Sequence, residues 1–302
     1  MKIIFITLSN IGDVILTLPV LTALKDNFPG AKIDVVVGPR PKHVFAKDPR
    51  INRIFTYDKH ASLKDKIAFV SKLRKEKYDL AVDMRNSLLP ILIGAKKKTL
   101  LFSKNKKIHK RSAHLEKLSS FGIKYKNKQN IYISDEDKRF VDKLLEENGV
   151  KKGDVILGIS PGSRSSLKRW SADGFIEVIN EVLRQGRYKI VLIGESNERV
   201  FSHKDVIDLT GKTNLNQLFA LIERMQLLLT CDSASLHIAC DLGVKVIAIF
   251  GPTDAREYGP TGKDDVVIRK DLKCSPCKKA LCKFNHECMS QLSAQEITLH
   301  LR

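Results

Sequence analysis

Apolar residues along this chain fall into short continuous runs separated by longer stretches with helical spacing. Residues 2–8, 32–37, 51–57 and 78–84 predict buried strands, and residues 13–28 and 62–75 predict helices between them. Further short strands are expected at 99–102 and 131–133, followed by a charged amphipathic helix over 135–148 that Gly149 closes. The alternation then restarts. Strands are expected at 155–159, 189–193 and 206–209, with helices at 172–185 and 215–224. The last unit is the clearest: apolar runs at 227–231 and 244–250 flank a short helical segment, with Asp232 and Ser233 where a helix N-cap falls.

Such alternation predicts α/β architecture with two doubly wound parallel sheets. At 302 residues the chain has room for two domains, each with its own core. The restart near residues 150–154 divides it into 1–150 and 151–302. Ligands in this architecture sit beyond the carboxyl ends of the strands, so both domains are expected to point their sites into one cleft. Pro19 falls inside the first helix and should remove a backbone bond and kink it. The apolar stretch 3–24 carries Asn10, Gly12, Asp13 and Pro19, which argues against a membrane span. A soluble, cytoplasmic protein is expected.

Charge changes the picture for the first half only. Residues 1–150 hold 31 Lys and Arg against 16 Asp and Glu, whereas 151–302 hold 22 against 18. Between Lys96 and Lys128 there are 12 basic residues and one acid, Glu116. Such a patch attracts a polyanion, whether nucleic acid, anionic lipid or a phosphorylated glycolipid, or else is ordinary lysine-rich surface. No helix-turn-helix or RNP-like string accompanies it.

Candidate chemistry lies at the strand ends. Asp232-Ser233-Ala234-Ser235 opens a helix whose amides and dipole could hold a phosphate, unless this is simply one more βα turn. His237 lies just inside that helix, where a satisfied core histidine is the alternative to a ligand contact. Ser9-Asn10-Ile11-Gly12-Asp13 lacks the Gly-x-Gly-x-x-Gly spacing of a dinucleotide site; its Asp13 is a helix-entrance acid or a base. Ser160-Pro161-Gly162-Ser163-Arg164 and Lys168-Arg169-Trp170 offer hydroxyls and a point charge to a phosphate, without a Walker A pattern. Trp170 is expected in the core. Asp83-Met84-Arg85-Asn86-Ser87 ends the fourth strand, where Arg85 either pairs with an acidic ligand or lies on a surface turn. Finally, Cys274-x2-Cys277-x4-Cys282-x5-Cys288, with His286 inside, has the closeness of soft-metal ligands, most simply a structural zinc, with reduced thiols as the alternative.

Three of these stretches together resemble glycosyltransferase family 9, the ADP-heptose:lipopolysaccharide heptosyltransferases. They are 11–21 (Ile-Gly-Asp-Val-Ile-Leu-Thr-Leu-Pro-Val-Leu), the Ser163 to Trp170 loop, and Asp232 to Ala239 with Leu242-Gly243 and Phe250-Gly251-Pro252-Thr253-Asp254. The resemblance implies a GT-B fold, with an acceptor domain first and a nucleotide-sugar domain second. It implies inverting transfer of heptose from ADP-heptose to the lipopolysaccharide inner core, with Asp13 as general base. Donor contacts carried over are Ser163, Lys168, Asp232, Ser233, Ala234, Ser235 and His237, with Glu195 near the nucleoside. Acceptor contacts are Asn10, Gly12, Arg85 and Ser87. No cofactor is implied for catalysis, and a Cys-x-Pro-Cys tail accompanies many members without a part in the chemistry. An acidic acceptor in an anionic inner membrane suits the basic first domain, giving a peripheral enzyme on the cytoplasmic face with no nucleic-acid partner. The competing expectations are a GT-B enzyme for another nucleotide sugar, including an epimerase, and a basic nucleic-acid-binding protein with a zinc knuckle.

Overall fold

The computed structural model describes residues 1–99, 108–126, 128–195 and 203–301. They form two compact units, Met1–Tyr132 and Ile133–Arg302, each built on its own parallel sheet.

The first unit contains β1 (Lys2–Ile6), α1 (Ile11–Asn27), β2 (Lys32–Val37), β3 (Ile51–Thr56), α2 (Leu63–Arg74), β4 (Leu80–Asp83), α3 (Leu89–Leu92), β5 (Lys97–Lys98) and α4 (Lys110–Glu116). Its strands lie in the order β3-β2-β1-β4-β5, all parallel. Strand order reverses between β1 and β4, where Ile6 stands opposite Asp83. The loops after these two strands therefore flank the sheet's switch point, where ligands bind in open α/β sheets.

The second unit begins with α5 (Asp135–Glu147) and continues through β6 (Ile156–Ser160), α6 (Ala172–Gln185), β7 (Lys189–Leu192), β8 (Val206–Asp208), α7 (Leu215–Glu223), β9 (Leu227–Cys231), α8 (Ala234–Leu242) and β10 (Lys245–Ile249). It ends with α9 (Ala255–Tyr258), β11 (Val266–Ile268), α10 (Glu287–Ser290) and α11 (Ala294–Thr298). The order is β11-β10-β9-β6-β7-β8, again parallel, and its switch point lies between β6 and β9. Ser160 and Thr230 pair across it.

Several expectations shift. The boundary falls at 132/133 rather than 150, because α5 packs on α7 and is tied to it by Lys138–Glu223 at 3.2 Å and Arg224–Asp142 at 2.6 Å. Residues 131–133 form no strand. The fifth strand of the first sheet is Lys97–Lys98, before the expected 99–102, of which 100–102 lie outside the described residues. Helix α1 runs unbroken through Pro19, every residue from Val14 to Leu24 being buried. Packing on all sides holds the helix where proline removes one backbone bond.

Trp170 is in the core, as expected. Its ring stands edge-on to Phe175 with centroids 5.0 Å apart, and its indole N–H donates to the Leu292 carbonyl at 3.2 Å.

Candidate functional site

At the first sheet's switch point, Asn10 caps α1 from an extended backbone, and its amide donates to Asp13 Oδ2 at 2.8 Å. Asp13 is half-buried in the first turn, beside Gly12. Behind it Thr7 and Thr17 share a buried hydroxyl contact of 2.7 Å, and Thr17 donates to the Val14 carbonyl, so strand end and helix are fixed to one another. The loop is also pressed from β2: a Cβ on Gly38 would sit 3.0 Å from Ser9 Cα. The Asp13 carboxylate is thus presented at the end of β1 by a rigid turn.

The loop after β4 is wrapped around Asp83. Its buried carboxylate accepts from the backbone N–H of Arg85 (2.7 Å) and of Ser87 (2.6 Å), and from the Ser87 hydroxyl (2.8 Å). Ser87 in turn accepts from the Leu89 N–H at 3.3 Å, so its side chain builds the loop. Asn86 takes a left-handed backbone, φ 57°. Lys117, just beyond α4, donates to the Asp83 carbonyl (2.9 Å) and to Asn86 Oδ1 (2.6 Å), and burial pulls its ammonium pKa down against the opposing pull of Asp83. Arg85 lies over the Tyr57 ring at 5.0 Å, and its buried Nη1 has no hydrogen-bond partner among the described residues. A buried guanidinium nitrogen without a partner carries a desolvation penalty that an incoming anionic oxygen would relieve.

In the second unit the turns after β6 and β9 are laced together. Ser160 donates to Ser235 Oγ at 2.9 Å, and Ser163 to the Asp232 carbonyl at 2.9 Å. Thr230 and Ser233 hydroxyls meet at 3.0 Å, and Arg169 Nε donates to the Ser163 carbonyl at 2.7 Å. Lys168 Nζ lies 2.7 Å from Asp232 Oδ2. That pair is close enough for strong attraction but off the hydrogen-bond direction, since the buried Oδ2 has no aligned donor. Ser233 is the N-cap of α8 with an extended backbone and makes no side-chain cap bond. The first turn of α8 is therefore not satisfied by its own cap. Ser235 and His237 are buried along that helix. Glu195 follows β7 at the same carboxyl edge and is exposed. These are the parts of an anion site: a lysine, hydroxyls and a helix N-terminus at a switch point.

The cysteine tail adjoins these turns. Cys274, Cys277, Cys282, Cys288 and His286 line one cavity of about 280 Å³ together with Leu167, Pro252 and Phe284. None of the six cysteines is in a disulfide. Burial pushes the Cys288 thiol pKa up, and the charges of Cys277, Cys282 and Cys274 add to the rise. Among the described residues no three His, Cys, Asp or Glu side chains stand in metal-holding geometry, so the thiols share a cavity without forming a ready zinc centre.

What the tail does is grip the turn after β6 and the turn after β10. His286 Nε2 contacts the Leu167 carbonyl at 2.6 Å, Ser275 donates to the Gly251 carbonyl at 2.7 Å, and the Lys278 N–H to that of Pro252 at 2.8 Å. A Cβ on Gly251 would lie 2.5 Å from Met289 Sδ, which explains the glycine there.

Sequence reasoning singled out Asp13, Lys168, Asp232 and Ser233 by their places at strand ends. It missed Lys117, which looks like any other lysine of the basic block, and the Tyr57 platform under Arg85. It also missed the grip of the tail.

Two tandem parallel-sheet units, each with its loops gathered at a switch point, have the architecture of the GT-B fold. Residues 67–287 match Glycosyltransferase family 9 (heptosyltransferase), and the chain belongs to that family. It is 29% identical over 282 residues to lipopolysaccharide heptosyltransferase 3 of Escherichia coli K12, covering 80% of each chain. Over 306 residues it is 28% identical to lipooligosaccharide heptosyltransferase 2 of Campylobacter jejuni, covering 95% of this chain and 94% of that one. The crystal structure of a glycosyl transferase family 9 protein from Veillonella parvula matches 99% of this chain and 96% of its own with a TM-score of 0.85 at 25% identity. Family membership displaces the nucleic-acid-binding reading. No helix among the described residues is long and apolar enough to cross a membrane.

Proposed function

We propose that this enzyme transfers a heptose from ADP-heptose to the inner core of lipopolysaccharide, with inversion at the anomeric carbon. The observation that carries the donor half is the Lys168–Asp232 pair beside the uncapped start of α8. A diphosphate arriving there exchanges for the carboxylate as the partner of Lys168, while Ser163 and the amides of Ser233, Ala234 and Ser235 take its remaining oxygens. As ADP leaves, the same groups stabilise the charge that develops on it. His237 supports that helix turn from within, and Glu195 is the candidate for the nucleoside end.

The acceptor half is carried by Asp13 and Arg85. Asp13, aimed by Asn10 and flanked by Gly12, accepts the proton of the acceptor hydroxyl as that oxygen bonds to the anomeric carbon. Arg85 takes a carboxylate or phosphate of the acidic acceptor, with Ser87 holding its loop. The acids Asp135, Glu136 and Asp137 sit in the first turn of α5, where they complement the helix dipole. No step of this mechanism calls on them. A structural zinc held by Cys274, Cys277, Cys282 and Cys288 belongs to the same reading, outside the chemistry: Cys274, Cys277 and Cys282 lie in a segment without regular secondary structure that leads into α10, which carries Cys288. The excess positive charge of the first half suits an enzyme resting on the anionic cytoplasmic face of the inner membrane.

Thermal-shift titration with ADP-, UDP- and GDP-sugars tests the donor. ADP-heptose should raise Tm at concentrations where the UDP- and GDP-sugars do not. A shift with a UDP-sugar alone would replace this reading by a GT-B enzyme of another nucleotide sugar.

A further inference from the structure

The first unit carries an apolar face that its core does not use. Helix α2 has one buried residue, Leu73, yet Leu63 and Ile67 stand one turn apart on it at 75% and 61% exposure. Helix α3 packs beside α2, and Leu88, Ile91 and Leu92 of that segment are 60%, 49% and 51% exposed. The inward sides of both segments are already satisfied, since Phe69, Val70 and Leu89 pack against the cluster of Phe55, Tyr78 and Ile93. Five large aliphatic side chains facing water on two neighbouring elements form a patch rather than scattered singles.

The rim of this patch is cationic. Lys59, Lys64, Lys66, Arg74 and Lys75 lie in or beside α2, with Lys72 over the Phe55 ring, and Lys97 and Lys98 follow α3, where Lys96 is paired with Asp79 at 2.7 Å. The acids nearby are engaged within the unit: Asp65 accepts from Ser62 at the α2 N-cap, and Glu76 is paired with Arg53 and Lys2. Aliphatic side chains rimmed by cations match a bilayer of anionic lipid, where the apolar groups enter the headgroup layer and the lysines meet phosphates. A second copy of the chain is a poorer match, because a two-fold contact would bring the same lysines together.

The patch also adjoins the acceptor loop. Tyr57, the platform under Arg85, packs on Phe69 of α2 at a centroid distance of 5.5 Å, and Ser87 bonds the first residue of α3.

We propose that the α2–α3 face is the surface on which this enzyme sits on an anionic bilayer, Leu63, Ile67, Leu88, Ile91 and Leu92 entering the headgroup layer. The proposal rests on the reading of Arg85 as the acceptor's anion contact: a lipid-anchored acceptor then reaches Arg85 at headgroup level.

The test is co-sedimentation with unilamellar vesicles, either phosphatidylethanolamine with phosphatidylglycerol or phosphatidylcholine alone. The full-length wild type is compared with Ile67→Glu/Leu92→Glu and with the milder Ile67→Gln/Leu92→Gln. Both substituted positions are exposed, and melting temperature checks that each variant is folded. Wild type should bind the phosphatidylglycerol vesicles and not the neutral ones, and the Glu variant should bind at least about tenfold more weakly, with the Gln variant between. Equal binding by wild type and both variants, or no binding by wild type, overturns the proposal. A wild type that sediments as a dimer while the Glu variant is monomeric also overturns it, in favour of a second copy. Transfer to a water-soluble, delipidated acceptor separates the two readings. Vesicle binding with no transfer by any form would remove the transferase reading and leave the surface; normal transfer with unaltered vesicle binding in the variants would do the reverse.

Discussion

Lys168 and Asp232 face each other across 2.7 Å, from turns that follow different strands of the second sheet. Lys168→Ala removes the point charge and leaves a buried carboxylate facing the diphosphate, so ADP affinity should fall by about 1.5 to 3 kcal/mol, roughly 10- to 150-fold, by calorimetric titration. Unchanged affinity would take Lys168 out of the donor site. Asp13 makes a different case. Asp13→Asn keeps the size of the side chain and a partner for Asn10 but removes the base, so turnover should fall by about 10² to 10⁴, with donor affinity and Tm little changed. Near-normal turnover would leave Asp13 as a helix-entrance charge. The places of both residues at strand ends were legible from the apolar runs, while the roles proposed for them come from the family resemblance. The long-range contacts that fix the surrounding loops were not legible. Ser163 and Asp232 are 69 residues apart and Lys117 and Asn86 are 31 apart, so only the folded chain shows that they touch.

At the scale of elements, the strands and long helices follow from local pattern, and the discrepancies have physical causes. Helix α1 is buried all round, so its apolar residues show no single stripe, and proline alone gave a false signal of a break. Residues 131–133 carry strand-like residues but belong to neither sheet, and α5 draws the following chain onto α7. Short α3 and α4 have too few turns to show a period. Close packing between elements gives a sharper prediction. A Cβ on Gly174, in α6, would stand 2.4 Å from the Trp170 ring, which is locked between Phe175 and the Leu292 carbonyl and cannot give way. Gly174→Ala should lower stability by about 1 to 3 kcal/mol in denaturant titration despite the better helix propensity of alanine. A stabilised variant would mean that the indole is free to shift.

Across the whole molecule, net charge of +19 is concentrated in the first half, yet the structural acids are held ionised by specific partners. Arg53 and Lys2 hold Glu76 down to about 2 from 4.5, and Arg256 holds Asp254 down to about 2 from 3.8. Burial, with Lys117, Lys110 and His109 around it, lowers His114 to about 4 from 6.5. All three are depressed in the folded state. Each contribution is therefore complete above the unfolded value and lost as pH falls through the folded one: first His114 between about 6.5 and 4, then Glu76 and Asp254 between about 4.5 and 2. Stability followed by denaturant midpoint should start to drop below about pH 6.5, and His114→Gln should flatten that upper part of the curve while leaving the lower part. An unchanged curve would show that His114 protonates freely in the native state. The central claim is the transfer itself, and mass spectrometry of a heptose-free inner-core acceptor incubated with ADP-heptose addresses it directly. The acceptor should gain one heptosyl residue for each ADP released, only when both substrates are present. Consumption of ADP-heptose with no gain in acceptor mass would contradict the account.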